Sequence, residues 1–197
     1  MYGGGVFKTQ YQCNSFAMCG KPNVTEDGDK ILLPPTALQI IANMNVEWPL
    51  LFNISNDDLG RSTHCGALEF TSEEGVCYIP YWMMQNLLLE EGALVTVTNL
   101  SLPKASYAKF RAQSVDFLEI TNHRAVLEVS LRKYTCLTKG DIIFIKHAGV
   151  EHSLEVTDLK PANACSIIET DVQTDFDEPV GYKESVYAAH ERAAEAE

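Results

Sequence analysis

A chain of 197 residues with 46% apolar side chains has material for one large or two small domains around a real core, and no stretch approaches the ~20 apolar residues of a membrane-spanning helix. The formal net charge is −12, yet residues 169 to 197 hold nine acids against Lys183 and Arg192, which leaves only −5 for the preceding 168 residues. Without a stripe of clustered Lys and Arg to displace counterions the composition argues against nucleic-acid binding, and a partner with a basic surface is the better electrostatic match.

The start, Met1-Tyr2-Gly3-Gly4-Gly5-Val6, has neither a basic region nor an apolar run, so it reads as a flexible tail and not as a secretory signal. Cytoplasm and nucleus are the expected compartments. The cysteines, Cys13, Cys19, Cys65, Cys77, Cys136 and Cys165, form no close CxxC pair and read as reduced core thiols.

Phe7 to Phe16 alternates loosely, as an opening strand would, and Gly20 to Asp29 is a turn rich in charge and glycine. Lys30 to Leu33 is a strand, Pro34 and Pro35 open a helix, and Trp48 to Ile54 is strand again. After a turn at Asn56 to Gly60 and a strand from Arg61 to Phe70, the pattern repeats. Val76 to Ile79 is β-branched and aromatic, Pro80 stands where a first-turn proline is tolerated, and an apolar helix through Trp82, Met83 and Met84 is expected to stop at Glu90-Glu91-Gly92. Leu94 to Thr98 follows as a strand. Aligning Pro34 with Pro80, 46 residues apart, puts Leu33 on Ile79, Leu38 on Met84 and Ile41 on Leu87. Two strand-helix-strand halves are implied, neither able to bury its apolar face alone, so they are expected to close on one another with interleaved strands.

Leu100 to Phe117 reads as a strand or wrap-around segment that ends the first unit near Gln113 to Asp116. Beyond it Thr121-Asn122 offers an N-cap for a helix up to Lys133. Ile142 to Ile145, after a turn at Lys139-Gly140-Asp141, reads as a run buried on both faces. A hairpin turn at Ala148-Gly149 leads to Ser153 to Val156, and a further strand is expected over Ala164 to Ile168. The division is therefore 1–115, 116–184 and an acidic tail, 185–197, either helical or disordered, resembling a linker.

Catalytic groups are hard to assemble from these residues. His64 and Cys65 are adjacent in a strand, point to opposite faces and make no dyad. His147 and His152 approach across the hairpin as a weak metal pair at most, and exposed turn histidines are far commoner. Asp57-Asp58 and Asp175-Phe176-Asp177-Glu178 read as solvated loops. No phosphate loop, dinucleotide fingerprint or nucleophile elbow is present. No catalytic residue, metal or cofactor is therefore expected, and a hydrolase using Cys65 or Cys77 is the rival reading. Pro34, Pro80 and Trp82 read as structural anchors.

The stretches Leu33-Pro34-Pro35-Thr36-Ala37-Leu38, Thr63-His64-Cys65-Gly66, Glu69-Phe70, Cys77 to Gly92, Ser114 to Leu118 and Asp175 to Lys183 together resemble the amino-terminal domain of the ubiquitin fusion degradation protein family. That resemblance implies a β-rich α+β fold, a double-psi β-barrel followed by a smaller α/β subdomain, shared with the amino-terminal domain of the valosin-containing AAA ATPase. It also implies a non-enzymatic adaptor that binds ubiquitin and polyubiquitin chains, and that meets the ATPase and a nuclear-protein-localisation cofactor through segments mostly beyond these residues. A scaffold that docks the ATPase or its cofactor without touching ubiquitin is the alternative. For the ubiquitin contact, exposure points to Lys146, His147, Val150, Glu151 and Glu155 in the second subdomain.

Overall fold

The computed structural model describes residues 5–196; the glycine-rich start, Met1 to Gly4, lies outside them. Six strands close into a barrel: β1 (Lys8–Ser15), β2 (Lys30–Leu33), β3 (Leu51–Asn56), β4 (Arg61–Phe70), β5 (Val76–Ile79) and β6 (Ala93–Leu100), in the order β1-β5-β2-β4-β3-β6. Helix α1 (Pro35–Ala42) joins β2 to β3, and α2 (Tyr81–Asn86) joins β5 to β6.

The ladders show why the two halves need each other. Strand β1 runs parallel to β5 while β4 runs parallel to β2, and β1 pairs antiparallel with β6 as β4 does with β3. The remaining contacts, β2 with β5 and β3 with β6, join equivalent strands of the two halves antiparallel. Exchanging β1, β2, β3 for β4, β5, β6 therefore leaves the pairing scheme unchanged, which makes the repeat read around Pro34 and Pro80 a topological pseudo-two-fold. Neither half has a closed ladder without the other.

Both prolines end a strand and cap a helix. Pro34 and Pro80 are the N-cap residues, extended at ψ 157 and 148, and their carbonyls accept from Ala37 and Met83 at 3.0 Å. Pro80 thus stands one position ahead of the first-turn place expected of it, and Pro35 takes that place in α1. Of the aligned pairs, Leu33 with Ile79 and Ile41 with Leu87 are buried, whereas Leu38 is at the surface and Met84 is in the core. Trp82, Met83 and Met84 all pack inward.

Helix α2 ends earlier than Glu90. Leu88 adopts φ 52, its N–H donates to Gln85 O at 3.2 Å, and Leu89 N–H donates to Met84 O at 2.9 Å. This is a Schellman closure with leucine in the position glycine usually takes. The stop comes from tertiary demand: Leu87 O accepts Asn56 Nδ2 at 2.8 Å, which ties the turn after β3 to the end of the helix.

The second subdomain is a four-stranded sheet in the order β12-β7-β10-β9, formed by β7 (Tyr107–Ala112), β9 (Ile142–His147), β10 (Val150–Lys160) and β12 (Gln173–Phe176), with a two-stranded sheet of β8 (Cys136–Thr138) and β11 (Ala164–Ser166). The sheets part between β6 and β7, ahead of the 113–116 stretch. Helix α3 (His123–Leu131) is capped by Asn122, whose side chain accepts from Ala125 N–H. Two sequence expectations change here. Ile142 to Ile145 is buried on one face only, since Ile143 and Ile145 enter the core while Ile142 is 38% exposed, because β9 is an edge strand and not a central one. Asp175 and Phe176 belong to β12 and not to a solvated loop, for Phe176 packs against Phe117 and His123 at 5.7 and 4.9 Å and Asp175 accepts from Tyr107 Oη at 3.0 Å. The acidic end forms helix α4 (Tyr182–Glu195), none of whose residues is buried.

Replacing Leu88 by Gly removes the left-handed strain, worth roughly 1–2 kcal/mol, at an entropic cost of about 0.5–1 kcal/mol in the unfolded chain. Urea denaturation should show Leu88→Gly gaining about 0.5–1 kcal/mol.

Candidate functional site

The joint between barrel and second subdomain carries a set of buried polar contacts beside its apolar core. Asp29, buried at the entry to β2, accepts from Thr135 N–H at 2.9 Å, Thr135 Oγ1 at 2.9 Å and Cys136 N–H at 3.0 Å. Along β4, Thr63 Oγ1 donates to Asp141, His64 Nδ1 meets Thr138 Oγ1 at 2.8 Å, and Gly66 lies so close to Thr135 that an added Cβ would come 2.8 Å from its methyl. Trp82 Nε1 donates to Gly28 O at 2.8 Å and its ring lies 5.8 Å from that of Tyr134.

These contacts also engage the His64-Cys65 pair. Asn53 Nδ2 donates to His64 Nε2 at 3.2 Å, so Nδ1 carries the proton toward Thr138, and burial lowers the imidazole to about 4. Both ring nitrogens are engaged away from Cys65. Burial raises the Cys65 thiol, and hydrogen bonding to Cys77 together with burial raises that of Cys13. A nucleophile requires the opposite shift and a neighbouring base. All six cysteines are unbridged and only Cys19 is not buried, so five of the six expected core thiols are in the core.

The residues picked by exposure, Lys146, His147, Val150, Glu151 and Glu155, fall on the β9–β10 hairpin. Ala148 and Gly149 at φ 50 and 78 make its two-residue turn, and His147 pairs with Val150, which is 53% exposed. Register divides the set. Lys146 opposite Glu151 shares one face with Glu155, while His147 and Val150 lie on the face that carries Ile145 and His152 into the core. Glu155 stands 3.8 Å from Arg111 on β7. His152 pairs with Ile145 and packs edge-on against Phe117 at 5.6 Å, and among the described residues no cluster of three metal-ligating side chains forms.

The free edge of β9 is largely closed to strand addition. Asn86 takes both backbone groups of Ile142, donating to its O at 2.8 Å and accepting from its N–H at 3.0 Å. Tyr134 Oη does the same for Phe144, accepting from its N–H at 3.2 Å and donating to its O. Along this edge the backbone groups of Ile142 and Phe144 are therefore already paired. Sequence reasoning missed Asp29, Asp141, Asn86 and Tyr134. The signal the two acids share is a Gly-Asp pair directly ahead of an apolar strand, at Gly28-Asp29 and Gly140-Asp141.

A six-stranded barrel joined through buried polar contacts to an α/β subdomain defines a two-part domain. The chain belongs to the ubiquitin fusion degradation protein UFD1 family: the model for N-terminal subdomain 1 matches residues 7–103 and that for N-terminal subdomain 2 matches 104–179. It is 50% identical over 195 residues to the human protein named ubiquitin recognition factor in ER-associated degradation protein 1, covering 97% of this chain and 64% of the relative. Ubiquitin fusion degradation protein 1 of Schizosaccharomyces pombe is 45% identical over 186 residues, 91% of this chain and 54% of its own length. The chain thus spans less than two thirds of these relatives.

Burial lifts Asp29 to about 6 and Asp141 to about 7 from an ordinary value of 3.8. In both cases the folded protein holds a proton that the unfolded chain has released, so the stability they contribute is full below about pH 4 and is lost as the pH rises toward 6 and 7 respectively. Asp141→Asn removes the upper part of this dependence. Relative to the parent, its unfolding free energy should improve by roughly 2–4 kcal/mol between pH 4 and 7, measured by urea titration across that range.

Proposed function

We propose that this chain is a non-catalytic ubiquitin-binding adaptor domain, a double-psi barrel with an α/β subdomain built like the amino-terminal domain of the AAA ATPase it serves. In this reading it brings polyubiquitylated substrates to that ATPase for unfolding and proteasomal degradation, in cytoplasm and nucleus, including substrates from the endoplasmic reticulum. The ATPase and the nuclear-protein-localisation cofactor would be met mainly by segments outside these residues.

The observation that carries the reading is the 50% identity, over 97% of the chain, to a protein named for ubiquitin recognition. The hairpin is consistent with it. Val150, exposed at the hairpin tip beside His147, presents a small apolar spot, and the next residue, Glu151, adds an acid on the opposite face, features that suit an apolar patch ringed by basic residues. With the β9 edge occupied by Asn86 and Tyr134, the contact would be made by side chains. One such contact is worth on the order of −4 to −6 kcal/mol, millimolar to tens of micromolar, and chains of ubiquitin recover affinity through effective concentration.

Titrating isotope-labelled protein with mono- and polyubiquitin tests this directly. Chain-dependent shifts at His147 to Glu151 are expected, and Glu151→Lys should weaken binding about threefold or more. Absence of any shift at high concentration refutes ubiquitin binding, while shifts elsewhere that survive Glu151→Lys refute the hairpin alone.

A further inference from the structure

Two sets of hydrogen bonds cross the joint, one at each end of β8. At its start the carboxylate of Asp29 accepts from Thr135 N–H, Thr135 Oγ1 and Cys136 N–H. Past its end, in the turn Lys139-Gly140-Asp141, the relation is reversed: the acid belongs to the second subdomain and the barrel supplies the partner, since Thr63 Oγ1 donates to Asp141. The next residue, Ile142, is tied across the same side of the joint by both backbone groups, its N–H donating to Asn86 Oδ1 at 3.0 Å and its O accepting from Asn86 Nδ2 at 2.8 Å. Thr138, between the two sets in sequence, meets His64 at 2.8 Å.

The two acids are not equally provided for. Asp29 has two backbone N–H groups and a hydroxyl, whereas Asp141, 8% exposed, has the single hydroxyl of Thr63. A buried carboxylate with one neutral donor is poorly stabilised, so its neutral form is favoured while the joint is closed. The charged groups on the surrounding elements are engaged elsewhere. On β4, Arg61 donates to Asn86 O at 3.1 Å, and His64, held between Asn53 and Thr138, is kept neutral by burial, which lowers it to about 4. In the turn Lys139 lies 4.0 Å from Asp158, and on β10 Glu155, opposite Ile142, stands 3.8 Å from Arg111. Burial also keeps the Tyr134 phenol and the Cys136 thiol protonated. Burial raises Asp141 from 3.8 to about 7, so the advantage of the closed joint is full below about pH 4 and is lost as the pH rises to 7. Asp29 completes its own change lower, about 6, and as a carboxylate keeps its three donors.

We propose that Asp141 is a proton-operated latch: as the neutral acid it holds the start of β9 against Thr63 and Asn86, and on ionising it lets this side of the joint part while the Asp29 side keeps β8 on the barrel. Parting frees the N–H and O of Ile142, so the β9 edge is closed to strand addition in the latched form and open at its first residue in the released one. Two amides of the same edge report the difference. That of Ile142 is held across the joint by Asn86, that of Phe144 within the second subdomain by Tyr134 Oη. The latch uses none of the residues at the hairpin tip, so it stands apart from the ubiquitin reading.

Amide hydrogen exchange of the 197-residue protein, read by NMR from about pH 5.5 to about pH 7 and corrected for the intrinsic pH dependence of exchange, tests the latch. Protection of Ile142 should fall about tenfold or more over that range, from a level below that of Phe144. It should respond little to low urea, because parting exposes little surface, whereas the β3 and β6 amides, which exchange by unfolding, respond steeply. Asp141→Asn should leave Ile142 protection independent of pH. Thr63→Val, which keeps the acid but removes its partner, should lower that protection about threefold or more already at about pH 5.5. The ¹³C shift of the Asp141 carboxyl should titrate with a midpoint of about 7. A midpoint at the ordinary 3.8, Ile142 protection that does not change with pH or changes equally in Asp141→Asn, unchanged protection in Thr63→Val, or an Ile142 amide that follows β3 and β6 in urea overturns the proposal.

Discussion

The carboxylate of Asp29 is the fastening on which the arrangement depends. It belongs to the barrel by sequence, directly ahead of β2, yet its three hydrogen-bond donors belong to the second subdomain at Thr135 and Cys136. Taking a carboxylate out of water is costly unless donors converge on it, and here two backbone N–H groups and a hydroxyl do so. Those backbone donors are fixed in space only when β8 lies against the barrel. The two subdomains therefore stabilise one another through a group that neither could bury alone. The apolar core agrees, since one contiguous cluster runs from Phe7 in the barrel to Ile167 in the second subdomain.

The neighbours of Asp29 are shaped around the same joint. Gly28 stands at φ 127 with its carbonyl on Trp82, and a Cβ there would come 2.8 Å from Lys133 O. Gly66 leaves room for Thr135, and Lys133 pairs with Asp27 at the rim. Every residue of Thr63-His64-Cys65-Gly66 is spent on joint or core, which explains why a pair resembling a catalytic dyad has no catalytic geometry. Trp82 and Asn86 extend the contact from α2, so the stretch from Val76 to Gly92 both caps the barrel and meets its partner subdomain.

Much of this was legible in the sequence because it rests on local chemistry. The two proline breaks, the Asn122 cap, the Ala148-Gly149 turn and the strand alternation of β10 follow from φ restriction, capping and period-two burial. Illegible features are those set by distant partners. Leu88 ends α2 because Asn56 needs the carbonyl of Leu87, 31 residues away. Asp29 and Asp141 look like turn residues until the strands that bury them are in place. Phe176 and Asp175 read as loop because their strand is short and its pairing with β7 is non-local. At the candidate site, exposure and hairpin register could be inferred from the turn, but the capping of β9 by Asn86 and Tyr134 could not.

The hydrogen bonds of this joint fix the placement of the hairpin relative to the barrel. The central claim is that Asp29 makes one cooperative unit of two subdomains. Hydrogen exchange under increasing urea, comparing Asp29→Asn with the parent, tests it most directly. The amide in place of the carboxylate leaves at least one backbone N–H facing a donor, a loss of about 1–3 kcal/mol. The account predicts that β8 and β11 amides in the variant open by that much more easily and ahead of β3 and β6, whereas in the parent they open together. Unchanged protection of β8 and β11 in Asp29→Asn would contradict it.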